Sequence, residues 1–348
     1  MVVLGADVHK RTHTFVAVDE VGRQLGQLTV SADGKGHAKA LRWARARFVG
    51  ERVWGIEDCR HLSARLERDL LTGGERVVRV PPKLMAQTRA SARTRGKLDP
   101  IDALAVARAV LREPDLPVAH DEVSRELKLL VDRREDLVGE RTGMINRFRW
   151  QLHELDPHLD PSKGSLDRAK TRAQLAEQLA SHTGLVAELA RDILADIDRI
   201  TDAINGLERR ISHRVEEQGV ALIGVPGCGA LTAAKLIGET AGVARFRSEA
   251  CFARHAGVAP IPVWSGKTAG RVRMARSGNR QLNAALHRIA VTQIRLDGEG
   301  RRYYRKRLMA GDSRTEALRC LKRRLARVVY RTLQPDNHAA AGLQPTAA

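Results

Sequence analysis

Four carboxylates in the first third of the chain have the residue type and the placement for metal-dependent chemistry. Asp7 ends a short apolar run and Glu57 ends another. Asp99 and Asp102 are three residues apart where a helix is predicted to begin, so their side chains can share one face of its first turn. Converging carboxylates repel one another unless a hard divalent cation neutralises them, and Mg²⁺ prefers oxygen ligands and phosphate substrates. If the four converge, we expect them to bind Mg²⁺, or Mn²⁺ in its place, and two ions about 3.5–4 Å apart can clamp the attacking and leaving oxygens of a phosphodiester.

Each carboxylate also has an ordinary structural explanation. Asp99 can cap the helix, with Pro100 at the first helical position and Asp102 at the third. Asp58 directly follows Glu57 and can be the relevant carboxylate in its place. Only the combination of all four on one fold favours a catalytic site.

A serine in a basic loop is the second candidate for chemistry. Ser265 lies in a segment rich in proline and glycine, and residues 251–296 contain eight Lys and Arg residues and no acidic one. Lys267, Arg271 and Arg273 can hold a phosphate and stabilise the charge of its transition state. No His/Asp pair is identifiable as an activating base, which argues against a protease-type triad. The alternative is that Ser265 belongs only to a turn.

The elements that must position the carboxylates alternate between strand and helix signals. The predicted strands span about 2–6, 14–18, 27–30, 53–56 and 76–80, and the predicted helices about 37–48, 62–72 and 99–111. The order βββαβαβα implies an α/β domain, over about residues 1–115, with a mixed sheet covered by helices. Because ligands of α/β sheets gather at the carboxyl ends of strands, we expect Asp7 and Glu57 at one such edge.

Residues 116–218 are predicted to form a helical connector. A first set of positions steps mostly by three and four residues: Leu127, Leu130, Arg134, Leu137, Arg141, Met144, Phe148 and Leu152. A second set alternates strictly between steps of four and three: Ile193, Ile197, Ile200, Ile204, Leu207 and Ile211. The second pattern is typical of a coiled coil, whereas the first fits a plain helical bundle equally well. Two such helices joined by a loop should form an antiparallel hairpin or pair with a second copy of the chain.

Residues 219–333 are predicted to form a mainly α-helical C-terminal domain. Gly227 and Gly229 make a Gly-x-Gly turn between two helical stretches, as in a helix–hairpin–helix segment, whose glycines let backbone N–H groups approach a phosphate. Simple turn chemistry explains the same pattern, but the preceding Pro226 and the small residues that follow favour nucleic-acid binding. Residues 334–348, rich in Ala, Gly and Pro, are predicted to be disordered.

The charge distribution indicates a polyanionic partner. The 348 residues carry a formal net charge of +19, and residues 251–333 alone account for +16. Arginine outnumbers lysine by 48 to 12, which favours forked contacts to phosphate. A codon bias toward arginine with a merely solvated basic face is the alternative. We expect no membrane span, no secretion signal and no disulfide or zinc scaffold, because the chain contains no long apolar stretch and its four cysteines are far apart; this pattern fits a reducing cytoplasm.

Together these motifs resemble two domains of one group of bacterial insertion-sequence transposases. The N-terminal part of the resemblance depends on Asp7, Glu57 and the segment 97–103 (KLDPIDA), which are similar to the group's DEDD nuclease domain. The C-terminal part depends on the segments 256–260 (AGVAP), 265–267 (SGK) and 276–282 (RSGNRQL). The motifs occur in the family's order and cover nearly the whole chain.

The resemblance implies a RuvC-like, RNase H-type N-terminal domain, a coiled-coil connector and a helical C-terminal domain that carries the catalytic serine. It implies Mg²⁺ at Asp7, Glu57, Asp99 and Asp102, and attack of Ser265 on double-stranded DNA to form a covalent phosphoserine link. Arg276 and Arg280, within the last motif, join the expected nucleic-acid contacts. It further implies guidance by a structured RNA, assembly as a dimer or tetramer, and action in the cytoplasm, at the nucleoid.

Two other functions fit the same residues. In a hydrolytic RuvC-like junction nuclease, the carboxylates activate water and Ser265 is a turn residue, so the cleaved ends carry no protein. In a non-enzymatic nucleic-acid-binding protein, the carboxylates are helix caps and no product depends on Mg²⁺.

Overall fold

The structure is a computed structural model, and it describes residues 1–57, 62–81, 84–85, 87–88, 98–113, 116, 122–218, 221–263, 265–266, 272–274 and 278–334. The chain forms two units, which we call the N-terminal unit (residues 1–120 with 244–247) and the C-terminal unit (residues 121–243 with 248–348). The predicted disordered tail lies outside the described residues, apart from its first residue. No helix in the described part of the chain is long and apolar enough to cross a membrane.

The N-terminal unit is built on a five-stranded mixed sheet. Its strands are β1 (Val2–Val8), β2 (Thr12–Val18), β3 (Gln24–Ser31), β4 (Arg52–Glu57) and β5 (Arg76–Val80). They lie in the order β3-β2-β1-β4-β5, with β3, β2 and β1 antiparallel and β1, β4 and β5 parallel. The predicted α/β domain with a mixed sheet covered by helices is therefore confirmed for this unit.

Helices cover both faces of the sheet. Helices α1 (Gly34–Arg47) and α2 (Ala64–Thr72) pack on the face that carries Trp54 and the even-numbered apolar residues of β1. Helix α3 (Asp99–Arg112) covers the other face. Strand alternation places the side chains of Asp7 and Glu57 on the face covered by α3.

Two glycines allow α3 to lie directly on the sheet. Gly5 and Gly55 are register partners on β1 and β4. A Cβ atom at Gly5 would lie 2.1 Å from the carbonyl oxygen of Ala103, and one at Gly55 would lie 2.5 Å from a methyl group of Val110. The absence of both side chains therefore sets how closely α3, and the carboxylates at its start, approach β1.

Helix α3 begins at the predicted residue, Asp99, but the residue that caps it is not the predicted one. Leu98 occupies the N-cap position, and its carbonyl oxygen accepts bonds from the backbone N–H groups of Ile101 (2.9 Å) and Asp102 (3.2 Å). The interpretation of Asp99 as the helix cap is therefore wrong, because Asp99 is already the first helical residue. Its carboxylate is available for other contacts.

The C-terminal unit contains a long antiparallel helix pair. Helix α4 spans Glu122–Leu155, α5 spans Ala169–Ala180 and α6 spans Leu185–Glu217. Arg134 of α4 bonds to Glu208 of α6 at 2.6 Å, and Arg214 near the end of α6 bonds to Glu126 near the start of α4 at 2.9 Å. The predicted antiparallel hairpin is thus confirmed. Its finer description as a coiled coil stays a prediction.

The remaining elements of the C-terminal unit are mainly helical. They are α7 (Ala230–Thr240), α8 (Glu249–His255), α9 (Arg280–Arg295), α10 (Glu299–Met309) and α11 (Arg314–Thr332), with a two-stranded ribbon of β6 (Pro260–Pro262) and β7 (Val272–Met274). A 3₁₀ turn at Ala221–Gly224 precedes the Gly227–Gly229 turn. The helix–hairpin–helix interpretation stays a prediction, as does the boundary between residues 116–218 and 219–333.

Candidate functional site

The ends of β1 and β4 bring two of the predicted carboxylates to one edge of the sheet. Ala6 pairs with Ile56 in the parallel register, and the next residues along the two strands are Asp7 and Glu57. Asp7 is only 7% exposed, and Glu57 is half-buried. β1 extends one residue past Asp7, so Asp7 is its penultimate residue and not its end.

Helix α3 brings the other two carboxylates toward Asp7. Asp99 is exposed and Asp102 is half-buried in the first turn of α3. Burial raises the pKa of Asp7, and the charges of Asp102 and Asp99 raise it further, whereas His9 opposes the shift. Like charges therefore converge on a buried carboxylate, which is unfavourable unless a cation accompanies them.

A histidine that the sequence analysis did not single out lies between two of these carboxylates. Nε2 of His9 is 3.1 Å from Oδ2 of Asp7 and 3.5 Å from Oδ1 of Asp99. The turn between β1 and β2 holds its backbone, because the N–H of His9 donates to the carbonyl oxygen of Thr12 at 3.0 Å. The Asp-x-His spacing predicts that the two side chains are neighbours, since alternate residues of an extended chain share a face and His9 directly follows β1.

This donor set fits a divalent cation. One ligand atom from each of Asp7, His9 and Asp99 lies within 4.8 Å of the others. Glu57 ends the neighbouring strand, and Asp102 is one turn along α3 from Asp99. The carboxylate oxygens are hard ligands of the kind that Mg²⁺ and Mn²⁺ accept, and the imidazole adds a nitrogen donor.

Ser265 lies exposed in the C-terminal unit, shortly after β6. Gly266 follows it with φ of +50°, a left-handed conformation that favours glycine. Arg273 on β7 and Arg280 at the start of α9 are exposed. The other basic residues predicted around the serine, Lys267, Arg271 and Arg276, lie outside the described residues.

The segment 258–277, which carries Ser265 and which we call the serine loop, is closed tightly at its base. Gly278 has φ of +116°, and a Cβ atom there would lie 2.7 Å from the backbone of Gly257. The backbone N–H of Asn279 donates to the carbonyl oxygen of His255 at 2.6 Å. The residues that flank the serine loop therefore contact each other through backbone atoms.

Two asparagines hold this base, Asn279 at the N-cap of α9 and Asn283 in its first turn. The side chain of Asn279 accepts from the first N–H groups of α9, and its amide donates to Glu239 of α7 at 2.6 Å. Glu239 in turn pairs with Lys128 of α4. The amide of Asn283 donates to the carbonyl oxygens of residues 256 (3.1 Å) and 257 (3.0 Å), and Lys322 of α11 donates to Asn283. Three helices therefore support the start and the end of the serine loop.

The two glycines of the predicted phosphate-binding turn differ in their surroundings. Gly227 has φ of +84°, and a Cβ atom there would lie 2.9 Å from Cβ of Thr292 on α9. Gly229 is the N-cap residue of α7, and a Cβ atom there would meet open space. Packing against α9 thus explains why residue 227 is glycine, while the start of α7 beside Gly229 is open.

Helices α10 and α11 carry a strongly basic exposed surface. Five exposed basic side chains make no ion pair with any residue that the structure describes: Arg302, Arg305, Lys306, Arg314 and Arg319. The guanidinium of Arg324 lies over the ring of Tyr303, 5.1 Å from its centroid. We call these two helices the basic hairpin.

Comparison with known proteins finds similarity along most of the chain. Residues 4–157 match the transposase family model DEDD_Tnp_IS110, and residues 220–305 match the model of the transposase IS116/IS110/IS902 family. The chain is 26% identical to the insertion element IS116 uncharacterized 44.8 kDa protein of Streptomyces clavuligerus, over 95% of this chain and 94% of that protein. It is 28% identical to the insertion element IS900 uncharacterized 42 kDa protein of Mycobacterium paratuberculosis, over 95% of each.

Among solved structures, the chain is similar to Thermus thermophilus RuvC. The RuvC structure is 18% identical, and the alignment covers 34% of this chain and 99% of RuvC with a TM-score of 0.27. RuvC in complex with a Holliday junction substrate gives 17% identity over the same shares, with the same TM-score.

Proposed function

Because the chain belongs to the IS116/IS110/IS902 family of transposases, we propose that it is an enzyme that cuts and rejoins DNA at the ends of a mobile element. The observation that carries this proposal is the convergence of Asp7 and Asp99 at the carboxyl end of β1, with Asp7 almost completely buried. Two carboxylates held in this way on an RNase H-like sheet suit metal-dependent phosphodiester chemistry better than any structural role, since neither caps a helix.

The metal site of this proposal consists of Asp7, Glu57, Asp99 and Asp102. A bound divalent cation, Mg²⁺ or Mn²⁺, supplies positive charge next to the oxygens of the reacting phosphate. The chain's own contribution is to hold the carboxylates before the ion arrives. The close packing of α3 on Gly5 and Gly55 supports this role, because it fixes the distance between the start of α3 and β1.

The nucleophile of this proposal is Ser265. Its Oγ forms a bond to a backbone phosphorus, and the bond from that phosphorus to the leaving deoxyribose oxygen breaks. The serine proton is lost to solvent or to a basic group, and the leaving oxygen takes up a proton to become a hydroxyl. The exposure of Ser265, of Arg273 in the serine loop and of Arg280 at the start of α9 supports this role, since guanidinium groups stabilise phosphate charge.

The partners of this proposal are double-stranded DNA and a structured guide RNA. The charge of +16 in residues 251–333 and the exposed arginines of the basic hairpin support binding to phosphate backbones. We further propose that the chain acts as a dimer or tetramer on chromosomal DNA in the cytoplasm, because strand exchange needs several reacting phosphates at once.

The serine mechanism is tested by trapping the covalent product. Purified protein and a DNA substrate with the element's ends are incubated with Mg²⁺ and run on a denaturing gel, where a phosphoserine link shifts labelled DNA. Ser265→Ala should abolish the shifted band and leave DNA binding intact, whereas Ser181→Ala, an exposed serine at the end of α5, should keep it. A shifted band that persists in Ser265→Ala contradicts the assignment of the nucleophile.

One observation favours a second candidate, the hydrolytic junction nuclease. The positive φ of Gly266 is what a simple turn at Ser265 and Gly266 requires. In that case the gel shows cleaved DNA without attached protein, and Ser265→Ala cuts as well as the wild type. Asp7→Asn abolishes cleavage under both candidates, whereas a non-enzymatic binding protein cleaves no DNA and binds DNA equally well with Asp7→Asn.

A further inference from the structure

The position of His9 is not explained by the four-carboxylate site. Its ring is half exposed, with 51% of the side chain accessible, yet Nε2 is directed at Asp7 and Asp99 together. A single N–H can bond well to only one acceptor, and the contact to Asp99 at 3.5 Å is too long for a good hydrogen bond. A hydrogen bond to Asp7 therefore explains that contact but not the position of Nε2 beside Asp99.

The separations between these atoms are those of ligands on one ion. Two ligand atoms at neighbouring corners of an octahedron, each about 2.1 Å from the ion, lie about 3.0 Å apart. Nε2 of His9 lies 3.1 Å from Oδ2 of Asp7 and 3.5 Å from Oδ1 of Asp99, and one ligand atom from each of the three residues lies within 4.8 Å of the others. The His9–Asp7 separation matches this spacing and the His9–Asp99 separation exceeds it by about 0.5 Å, so the three residues can share one ion as ligands on one face of an octahedron. Because the His9 ring and Asp99 are both about half exposed, water or phosphate oxygens can reach the remaining positions around such an ion.

We propose that His9 is a ligand of the cation held by Asp7 and Asp99, and that this position takes a first-row transition-metal dication in preference to Mg²⁺. This inference depends on the metal site of the proposed function and names the class of ion for one position in it. Imidazole nitrogen suits transition-metal ions, whereas Mg²⁺ is bound almost entirely by oxygen. The ligand form is the neutral ring with its proton on Nδ1, which leaves the Nε2 lone pair facing the carboxylates.

Binding of Mn²⁺ tests this assignment without any catalytic assay. The full-length protein, free of nucleic acid, is titrated with Mn²⁺, and the free ion is followed by electron paramagnetic resonance. Pulsed spectra of the bound ion then show whether a ¹⁴N nucleus is coordinated. The variants are His9→Gln, His9→Asp, Asp7→Asn and, as the matched control, His213→Gln, an exposed histidine on α6 with 72% of its side chain accessible.

We expect the ¹⁴N signal in the wild type and in His213→Gln. In His9→Gln the signal should disappear, and Mn²⁺ should bind about tenfold or more weakly. In His9→Asp a carboxylate oxygen replaces the ring nitrogen, so Mn²⁺ binding should recover while the ¹⁴N signal stays absent. Mg²⁺ should then displace Mn²⁺ from this site more readily than it does in the wild type. Because the ring is half exposed, neither substitution leaves a cavity. Each removes the hydrogen bond to the buried Asp7, so thermal melting of each variant verifies folding.

Three results overturn the inference, and they separate its failure from that of the proposed function. If Mn²⁺ binds in an Asp7-dependent manner without a ¹⁴N signal, His9 is not a ligand but the metal site stands. His9 is likewise excluded as a ligand if the signal persists in His9→Gln. If the wild type binds no Mn²⁺ at all, both the inference and the metal site of the proposed function are wrong.

Discussion

The side-chain amide of Asn279 donates to Oε2 of Glu239 at 2.6 Å, and this bond joins the start of α9 to α7 across 40 residues of sequence. The same side chain caps α9. Glu239 is only 6% exposed and also pairs with Lys128 of α4. A single asparagine thus couples the end of the serine loop to two other helices.

Asn279→Ala should destabilise the chain by about 2–3 kcal/mol, because it removes a helix cap and a hydrogen bond to a buried carboxylate. Asn279→Ser, which can still cap the helix, should recover about 1 kcal/mol of this loss. The measurement is the free energy of unfolding in urea. Asn205→Ala, at an exposed position on α6, is the control and should change it by less than about 0.5 kcal/mol. Equal stabilities of the two alanine variants would contradict the coupling.

Gly5→Ala should displace α3 from the sheet. The new Cβ atom would lie 2.1 Å from the carbonyl oxygen of Ala103 and 2.4 Å from the backbone nitrogen of Ala107, and backbone atoms cannot rotate away. We expect a loss of about 3 kcal/mol or more in the free energy of unfolding, together with weaker Mn²⁺ binding, since Asp99 moves with α3.

The control for this prediction is Gly34→Ala at the start of α1, where a Cβ atom meets nothing within 4 Å. It should leave both the free energy of unfolding and Mn²⁺ binding close to the wild type. If Gly5→Ala is as stable as Gly34→Ala and binds Mn²⁺ equally well, the close packing of α3 does not position the site.

The basic hairpin predicts the salt dependence of nucleic-acid binding. Replacing Arg302, Arg305 and Lys306 with glutamine should weaken binding to a DNA duplex. The slope of log K, the association constant, against the logarithm of the salt concentration should become less negative by about 0.9 for each phosphate that the variant no longer neutralises. The matched control replaces three exposed basic residues of α4 and α6, Arg147, Arg209 and Arg210, with glutamine. The assignment of DNA binding to the basic hairpin is wrong if the control lowers the slope and the hairpin variant does not.

The sheet and the approach of the carboxylates were predictable because they depend on local patterns. Apolar runs that end in an acidic residue mark strand ends, and parallel strands present those ends at one edge. Asp7 and Glu57 follow from that rule alone. The alternation of apolar residues in 193–211 likewise predicts the buried face of α6, where Ile197, Ile204 and Ile211 are almost completely buried.

The remaining features depend on contacts between residues distant in sequence. The cap of α3 is Leu98 and not Asp99, because the Leu98 carbonyl, rather than the Asp99 side chain, begins the hydrogen bonding of the helix. His9 becomes part of the site only because Gly5 and Gly55 let α3 approach β1. Asn279 resembles an ordinary helix cap in the sequence, and only its partner Glu239 shows its second contact.

His13 predicts how the stability of the chain depends on pH. Its side chain is almost completely buried on β2, and its ring stacks on that of His37 with centroids 5.2 Å apart. Burial lowers the pKa of His13 from 6.5 to about 4, and the neighbouring His37 lowers it in the same direction. Between these two values the unfolded chain binds a proton that the folded chain does not, so the free energy of unfolding falls as the pH falls.

The contribution of His13 is therefore complete above about pH 6.5 and is lost progressively toward pH 4, by up to about 3 kcal/mol. His13→Phe keeps an aromatic ring against His37 and removes the titrating group, so urea unfolding at pH 7.5, 6 and 5 should show a shallower pH dependence than in the wild type. His213→Gln, an exposed histidine, should keep the wild-type dependence. An unchanged dependence in His13→Phe would mean that His13 is protonated as readily in the folded chain as in the unfolded one, because only a difference in proton binding between the two states links stability to pH.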